Sequence, residues 1–169
     1  MAADEPGGLL AAYDSALPRV YGYLSARVGR GPVAEDLTAE TFLAAVDAVR
    51  AGRAPAISVA WLVGVARHKL VDHWRRQARE DRNVRALRTT TEEDTGDWDV
   101  HLDAVRAHQV LAALSPLHRA VLTLRYLDDM SVPAVAEAVE RSVHATEGLL
   151  ARARASFRRA YDGDEVNDA

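Results

Sequence analysis

The feature that most constrains the fold is a segment in the middle of the chain, residues 80–103, where apolar residues have no regular spacing. Residues 89–103 hold six acidic residues and no lysine or arginine. Such a segment cannot bury enough apolar surface to form a core, and it is typical of a linker. We therefore expect two small domains, residues 1–80 and 104–169, joined by an acidic, flexible linker over residues 81–103.

The segments on either side have the apolar spacing of α-helices. Apolar residues make up 49% of the chain and aromatic residues 6%, so the core is mainly aliphatic and favours helices over strands. In the first segment the pattern predicts helices over residues 9–28, 32–51 and 58–79, with Gly52 ending the second helix and Ser58 capping the third. The predicted fold class is all-α.

The second segment is predicted to contain a helix-turn-helix. A helix begins at Ala104, and another covers residues 116–127 behind a cap at Ser115. A short helix over residues 132–139, capped by Ser131, precedes a turn and a longer helix that Ser142 caps and that ends near Tyr161. A short helix, a tight turn and a longer helix form the layout of that DNA-binding motif.

The charge of the chain is unevenly distributed. The formal net charge is −4, which by itself argues against a nucleic-acid-binding protein. Residues 67–88, however, hold eight basic and three acidic residues, and residues 152–159 are basic again. The order is basic, acidic, basic, so the net charge does not exclude contact with nucleic acid.

Several functional classes receive no support from the residues. The chain has no cysteine, so it forms neither a disulfide nor a thiolate zinc site. Its six histidines never have the H-x-x-x-H spacing, and there is no Gly-rich phosphate loop, so we expect neither an enzyme nor a bound metal or cofactor. No signal-peptide pattern or long apolar run occurs, and we expect a cytoplasmic protein without membrane insertion.

Four motifs, in order along the chain, resemble those of one family. Residues 34–43, AEDLTAETFL, resemble the region 2 signature A-E-D-L-x-Q-E-x-F of extracytoplasmic-function (ECF) RNA polymerase sigma factors. Residues 61–76 are similar to the next signature, W-L-x-x-I-A-R-N-x-x-x-D-x-x-R-R. Residues 114–126 resemble the start of region 4 and residues 146–154 its end. Motifs in register over roughly residues 9–161 are a far stronger signal than any one of them.

The resemblance implies three surfaces. The second helix would bind core RNA polymerase through Asp36, Leu37, Glu40, Phe42 and Asp47. The third helix and the loop before it would bind the minus-ten promoter element and its melted strand through Arg53, Arg67, His68, Lys69, His73, Arg75, Arg76 and Arg79. The helix-turn-helix would bind the minus-thirty-five element through Arg119, Ser142, His144, Thr146, Glu147, Arg152 and Arg154. The resemblance also implies that the protein is an alternative sigma factor that initiates transcription at specific promoters. Such a protein is expected to be a monomer when free and to be regulated by an anti-sigma factor.

The chain departs from the family pattern at the last helix. Where G-T-V-K-S-R-L has its two basic residues, this chain has Glu147 and Leu149. Glu147 is open to two interpretations: its carboxylate accepts a hydrogen bond from a cytosine amine, or it is a surface glutamate that a helix N-terminus favours. Trp61 and Trp74 are likewise open to two interpretations, as stacking platforms for melted bases or as core residues.

Two other functions fit the same residues. One is a stand-alone helix-turn-helix regulator, which predicts specific binding to duplex DNA without polymerase. The other is a degenerate sigma-like module that binds only protein, which predicts no promoter-dependent transcription.

Overall fold

The computed structural model describes residues 6–54, 56–84 and 103–163. All regular secondary structure in these ranges is helical: α1 (Pro6–Val28), α2 (Pro32–Arg50), α3 (Val59–Val84), α4 (Ala104–Ala113), α5 (Pro116–Leu122), a π-helical turn (Thr123–Leu127), α6 (Val132–Ala138) and α7 (Val143–Gly163). The all-α prediction is confirmed. Within the same ranges, no helix is both long and apolar enough to cross a membrane.

The contacts divide the chain into two compact units, residues 1–72 and 73–169, with the boundary inside α3. Most of the segment predicted to be a linker, residues 85–102, lies outside the described residues.

The first unit is built on a pair of helices joined by a three-residue connection. α1 buries Ala16, Val20 and Leu24, one turn apart, and α2 presents a buried stripe to them. In the connection, Gly29 and Gly31 have φ angles of 83° and 130°, which residues with a Cβ atom rarely adopt. These glycines let the chain reverse direction within a few residues.

The stripe on α2 includes two threonines whose hydroxyl groups are satisfied within the helix. Thr38 Oγ1 donates a hydrogen bond to the carbonyl of Ala34, and Thr41 Oγ1 donates one to the carbonyl of Leu37, each at 2.7 Å. Because the hydroxyls have partners, burying these side chains leaves no polar group unpaired.

Gly52 ends α2 as predicted. The N–H of Gly52 donates to the carbonyl of Val49 at 3.0 Å, and the N–H of Arg53 donates to that of Ala48 at 2.9 Å. Gly52 has φ of 63°, so the end of α2 is a Schellman motif with glycine at its left-handed position. The motif fixes the backbone of Arg53 in the loop that precedes α3.

α3 begins at the predicted cap but extends beyond its predicted end. The N–H of Trp61 donates to Ser58 Oγ at 3.1 Å, which confirms Ser58 as the N-cap. The helix continues to Val84, whereas the sequence predicted an end near Arg79. The apolar stripe ends before the helix does, since residues 80–83 are polar but compatible with a helix.

In the second unit, α7 packs against α4, α5 and α6. Its buried side includes Thr146, Leu150, Ala153 and Phe157. The stripe recurs every three or four residues, as expected for one face of a helix that covers a core.

The start of α4 and the end of α7 meet. The N–H of Asp103 donates to the hydroxyl of Tyr161 at 3.0 Å, and the guanidinium of Arg106 donates to the Tyr161 carbonyl. The same guanidinium lies 4.5 Å from the centre of the Tyr161 ring. Asp103 Oδ1 also accepts the N–H of Arg106 at 3.0 Å and thereby caps α4. The start of α4 is therefore joined to the end of α7.

α5 differs from the prediction at both ends. Pro116 occupies its first turn, as predicted, but the side chain of Ser115 makes no capping hydrogen bond. At the other end the helix widens into the π turn, where the N–H of Asp128 donates to the carbonyl of Thr123 at 3.0 Å. An i to i−5 hydrogen bond places one more residue in the turn than an α-helix would.

The predicted helix-turn-helix is confirmed in α6 and α7. Ser131 Oγ accepts the N–H of Ala134 at 3.3 Å, and Ser142 Oγ accepts the N–H of Ala145 at 3.1 Å. Between the helices, Glu140 takes the left-handed conformation with φ of 54°. Both predicted N-caps and the intervening turn are therefore present.

Candidate protein and nucleic-acid interfaces

An acidic stripe runs along α2. With 100° of rotation per residue, Asp36, Glu40 and Asp47 fall on one side of the helix, next to Leu43. Asp36 and Asp47 are exposed and Glu40 is half-buried. The three carboxylates predicted to contact polymerase therefore lie together on an accessible side of α2.

A groove between α1 and α2 lies beside this stripe. It contains two cavities of about 560 and 490 Å³, and Tyr13, Ala39 and Phe42 line both of them. The rings of Tyr13 and Phe42 are 4.8 Å apart at an angle of 59°. The groove thus has an aromatic pair at its centre and carboxylates along one side, and we call it the α1–α2 groove.

Large apolar side chains along the α1–α2 groove are exposed. Leu10 is 78% exposed, Leu43 65% and Tyr13 41%. A contiguous apolar surface next to charged residues is typical of a protein-binding site. The sequence motif placed Phe42 in this surface but missed Leu10, Tyr13 and Leu43. Their signal was available: they are apolar residues that fall outside the buried stripes of their helices.

Leu37 requires a correction. It was predicted to contact polymerase, but its side chain is buried in the α2 stripe. Leu37 therefore packs within the protein and presents no surface to a partner.

The basic side of α3 is partly available for nucleic acid. Arg76 and Arg79 are exposed, as is Arg53 in the preceding loop. His68 is exposed, and its Nδ1 lies 2.8 Å from the carbonyl of Gly64, which directs Nε2 outward when Nδ1 carries the proton. The remaining predicted residues are half-buried: Arg67, Lys69, His73 and Arg75.

Arg75 is engaged within the protein. Its guanidinium donates a hydrogen bond to the carboxylate of Glu140 and forms an ion pair with it. Arg75 must exchange this partner before it can bind a phosphate. Arg76 and Arg79 are thus the more accessible cations of α3.

The two tryptophans of α3 have different environments. Trp74 is fully buried, so of its two interpretations the core role is correct. Trp61 is half-buried.

The first turns of α7 present Val143, His144 and Glu147 outward. Val143 is 43% exposed, and the other two are exposed as predicted. Val143 was missed because the family pattern drew attention to polar and charged residues.

Ser142 and Thr146, by contrast, are used inside the motif. The Ser142 hydroxyl caps the helix, and its side chain is still exposed. Thr146 is fully buried, and its hydroxyl donates to the carbonyl of Ser142 at 2.9 Å. Thr146 is therefore a packing residue, and its predicted contact with DNA is wrong.

Arg119 also has a structural role. Its guanidinium donates hydrogen bonds to the carbonyls of Leu111 at 3.0 Å, Leu114 at 3.2 Å and Ala112. These are carbonyls at the end of α4, and that of Leu111 also accepts the N–H of Leu114 at 3.2 Å. Burial lowers the pKa of Arg119 from its usual range. The guanidinium therefore stabilises the end of α4, and its contact with DNA stays a prediction.

The two basic residues predicted on α7, Arg152 and Arg154, lie beyond its exposed first turns, and both are half-buried. Arg154 Nη1 lies 3.4 Å from the hydroxyl of Tyr126. Burial lowers the pKa of His118, and the positive charges of Arg152 and Arg159 lower it further. These residues make the middle of α7 a cationic surface.

Two family models match the chain. The model of sigma-70 region 2 matches residues 12–80, and the model of sigma-70 region 4 matches residues 104–157. Curated relatives of both segments are ECF RNA polymerase sigma factors. The chain belongs to the ECF sigma factor family.

Two relatives illustrate the extent of the similarity. The ECF sigma factor BldN of Streptomyces coelicolor is 30% identical over 157 residues, which are 90% of this sigma factor and 60% of the relative. The ECF sigma factor SigC of Mycobacterium tuberculosis is 31% identical over 137 residues, which are 79% of this chain and 72% of the relative. This sigma factor therefore spans less than two thirds of the length of BldN.

A solved structure shares the fold. The sigma factor RpoE of Bartonella quintana, in a co-crystal with the anti-sigma factor NepR, aligns with a TM-score of 0.54 at 18% identity. The alignment covers 90% of this sigma factor and 96% of RpoE. In the present sigma factor, the region 2 match contains most of the α1–α2 groove and the basic side of α3, and the region 4 match contains α6 and most of α7.

Proposed function

We propose that this sigma factor binds core RNA polymerase, recognises and opens specific promoters, and initiates transcription under the control of an anti-sigma factor. The observation that carries the proposal is the exposed, aromatic α1–α2 groove with its neighbouring acidic stripe, on a chain that also holds a helix-turn-helix. A stand-alone DNA-binding protein needs the helix-turn-helix but not the α1–α2 groove.

The α1–α2 groove is proposed to bind a helix of core polymerase. Exposed apolar side chains such as Leu10 and Leu43 gain free energy when a partner covers them. The carboxylates of Asp36, Glu40 and Asp47 suit a partner with basic residues, because complementary charge steers and orients association. An amphipathic helix with a basic edge satisfies both conditions.

The basic side of α3 is proposed to bind the minus-ten element. Arg76 and Arg79 are exposed on α3, a long helix whose apolar face is buried. They can therefore neutralise phosphates without distorting the core. Arg53 and His68 are proposed to extend this surface. The role of the helix-turn-helix is binding to the minus-thirty-five element.

We propose domain limits, a state of the free protein and a site for an anti-sigma factor together with this function. The domain limits are residues 1–80, 81–103 and 104–169, and the free protein is a cytoplasmic monomer that acts as an initiation factor and not as an enzyme. An anti-sigma factor is proposed to cover the α1–α2 groove, because the same exposed apolar residues are available to an inhibitor when polymerase is absent.

The function is tested by adding the purified protein to sigma-free core polymerase and mapping transcripts from a fragmented genomic library. We expect discrete start sites that share upstream elements. Binding to core without transcripts would favour the degenerate module. Failure to bind core, together with specific binding to duplex DNA, would favour the stand-alone regulator.

The docking surface is tested with the double variant Asp36→Lys and Glu40→Lys. We expect its affinity for core polymerase to fall by at least about tenfold, because like charges then face each other across the interface. The control is Asp162→Lys, which reverses an exposed carboxylate on α7 and should leave affinity unchanged. Circular dichroism checks that both variants keep their helical content. Undiminished binding of the double variant would rule out the α1–α2 groove as the docking surface.

A further inference from the structure

The exposed side of α7 is unusual for a helix that enters DNA. Val143, Glu147 and Arg154 fall within 40° of one another around the helix axis at 100° per residue. Along the helix axis, Glu147 lies between an exposed apolar residue one turn earlier and a half-buried arginine two turns later. In a helix-turn-helix, the first turns of the second helix are the part that contacts base edges.

The helix N-terminus does not account for Glu147. The favourable interaction of an acidic side chain with the helix dipole is largely confined to the first turn. Glu147 is the fifth residue of α7, one position beyond that turn. The N-terminal groups are already served by Ser142, whose hydroxyl accepts the N–H of Ala145 at 3.1 Å.

Glu147 is also without a partner in the protein. It is exposed, and in the part of the chain that the structure describes it takes part in no hydrogen bond or ion pair. Arg152 lies against a different part of the helix: its Nη1 is 3.4 Å from the place where a Cβ atom on Gly148 would lie. The Glu147 carboxylate is therefore free to meet a ligand.

A carboxylate that enters the major groove is selective because it can only accept hydrogen bonds. Phosphate oxygens and the O6 and N7 atoms of guanine repel it. Adenine has an N6 amine, but the N7 acceptor beside that amine repels the carboxylate, whereas cytosine presents its N4 amine as a donor with no acceptor of its own in the major groove. A mismatched base costs affinity at this position, so the same charge that selects one base excludes others.

We infer that Glu147 is a specificity-determining residue that reads a cytosine in the minus-thirty-five element. This inference rests on the proposed function and deepens it, since it names the base that the helix-turn-helix selects. Arg152 and Arg154, further along α7, then bind phosphates and set the position of the helix. The minus-thirty-five preference of this sigma factor comes from an acidic contact where the family pattern has basic residues.

The test uses holoenzyme reconstituted from core polymerase and full-length protein. A promoter identified by transcript mapping is prepared with its minus-ten element intact and its minus-thirty-five segment randomised, and transcribed templates are sequenced. Wild-type protein should select cytosine at one position, by at least about fivefold over other bases. Glu147→Ala should lose that preference, and Glu147→Gln should change it to adenine, because a carboxamide pairs with adenine N6 and N7.

The control is Asp162→Asn, which removes an exposed carboxylate at the far end of α7 and should retain the cytosine preference. Retention of the preference in Glu147→Ala, or selection of no cytosine by wild-type holoenzyme that transcribes normally, overturns the inference. Absence of any transcription by wild-type holoenzyme is a different result, because it overturns the proposed function on which the inference rests.

Discussion

At the scale of single residues, Arg119 shows how a basic side chain near a DNA-binding motif can serve the fold. The carbonyls at the end of α4 face a tight connection to α5, and the Arg119 guanidinium bonds to three of them. A planar group with five N–H donors can satisfy several acceptors at once, which lysine cannot do in the same geometry. Arg119 therefore caps the C-terminal end of α4.

We expect Arg119→Ala to lower the free energy of unfolding by about 1–3 kcal/mol, because partly buried carbonyls lose their partners. Urea denaturation followed by circular dichroism measures the change. Arg141→Ala removes an exposed arginine from the turn before α7 and serves as the control, with a change within about 0.5 kcal/mol. Equal stabilities of the two variants would contradict the capping role.

The sequence predicted most of the helix N-cap residues correctly, but it predicted the residues of the binding surfaces only in part. A serine before an apolar helical pattern identified Ser58, Ser131 and Ser142 as N-caps, because that position needs a side-chain acceptor whatever the tertiary structure. The same signal at Ser115 was misleading, and nothing in the local sequence distinguishes it. Leu37 and Thr146 were assigned to surfaces by their place in a motif, although helical spacing puts both on buried stripes.

At the scale of helices, the beginnings of elements were predicted more accurately than their ends. α3 continues past its apolar stripe because polar residues can extend a helix that is already formed. The π turn after α5 could not be predicted, since the sequence Thr123–Leu127 is equally compatible with an α-helix. Gly52, by contrast, predicted the end of α2 because the left-handed position of a Schellman motif favours glycine.

The packing of α5 on α7 predicts a dependence of stability on pH. His118 on α5 has a pKa below its usual 6.5, first because it is buried and then because Arg152 and Arg159 are positively charged. Over the range between 6.5 and its lower folded pKa, the unfolded chain binds more protons than the folded chain. The stabilisation is therefore present above 6.5 and is lost as pH falls through the folded pKa.

We expect urea denaturation to show a lower free energy of unfolding at acidic pH than at neutral pH, and His118→Gln to weaken this dependence. The control is His144→Gln, at an exposed position on α7, which should retain the wild-type dependence. A pH dependence that is unchanged in His118→Gln would show that other groups cause it.

At the scale of the whole molecule, the net charge of −4 conceals two surfaces of opposite charge. The acidic stripe of α2 and the basic side of α3 belong to consecutive helices, and each suits a partner of the opposite charge. The basic character of α3 was predicted from the local cluster of charge, whereas the acidic residues of α2 were assigned through the resemblance to the family pattern. The α1–α2 groove was not predicted as a whole, since it needs residues from two helices in their folded arrangement.

We expect Arg76→Ala with Arg79→Ala to leave binding to core polymerase unchanged and to weaken promoter opening. A variant that contacts fewer phosphates releases fewer counterions when it binds. A plot of the logarithm of promoter affinity against the logarithm of salt concentration should therefore flatten by roughly one to two units of slope. Holoenzyme binding measured across a salt series gives this slope. The control is Arg30→Ala, at an exposed position in the connection between α1 and α2, and a wild-type slope in the double variant would remove α3 from the minus-ten surface.

The contact between Asp103 and Tyr161 bears on how this part of the chain can be rearranged. Because the start of α4 meets the end of α7, the segment of residues 103–161 begins and ends at neighbouring points. A chain with neighbouring ends tolerates insertion into a loop of another protein and tolerates joining of its ends with new termini opened elsewhere. The segment can therefore be moved as a cassette, provided that Tyr161 travels with it.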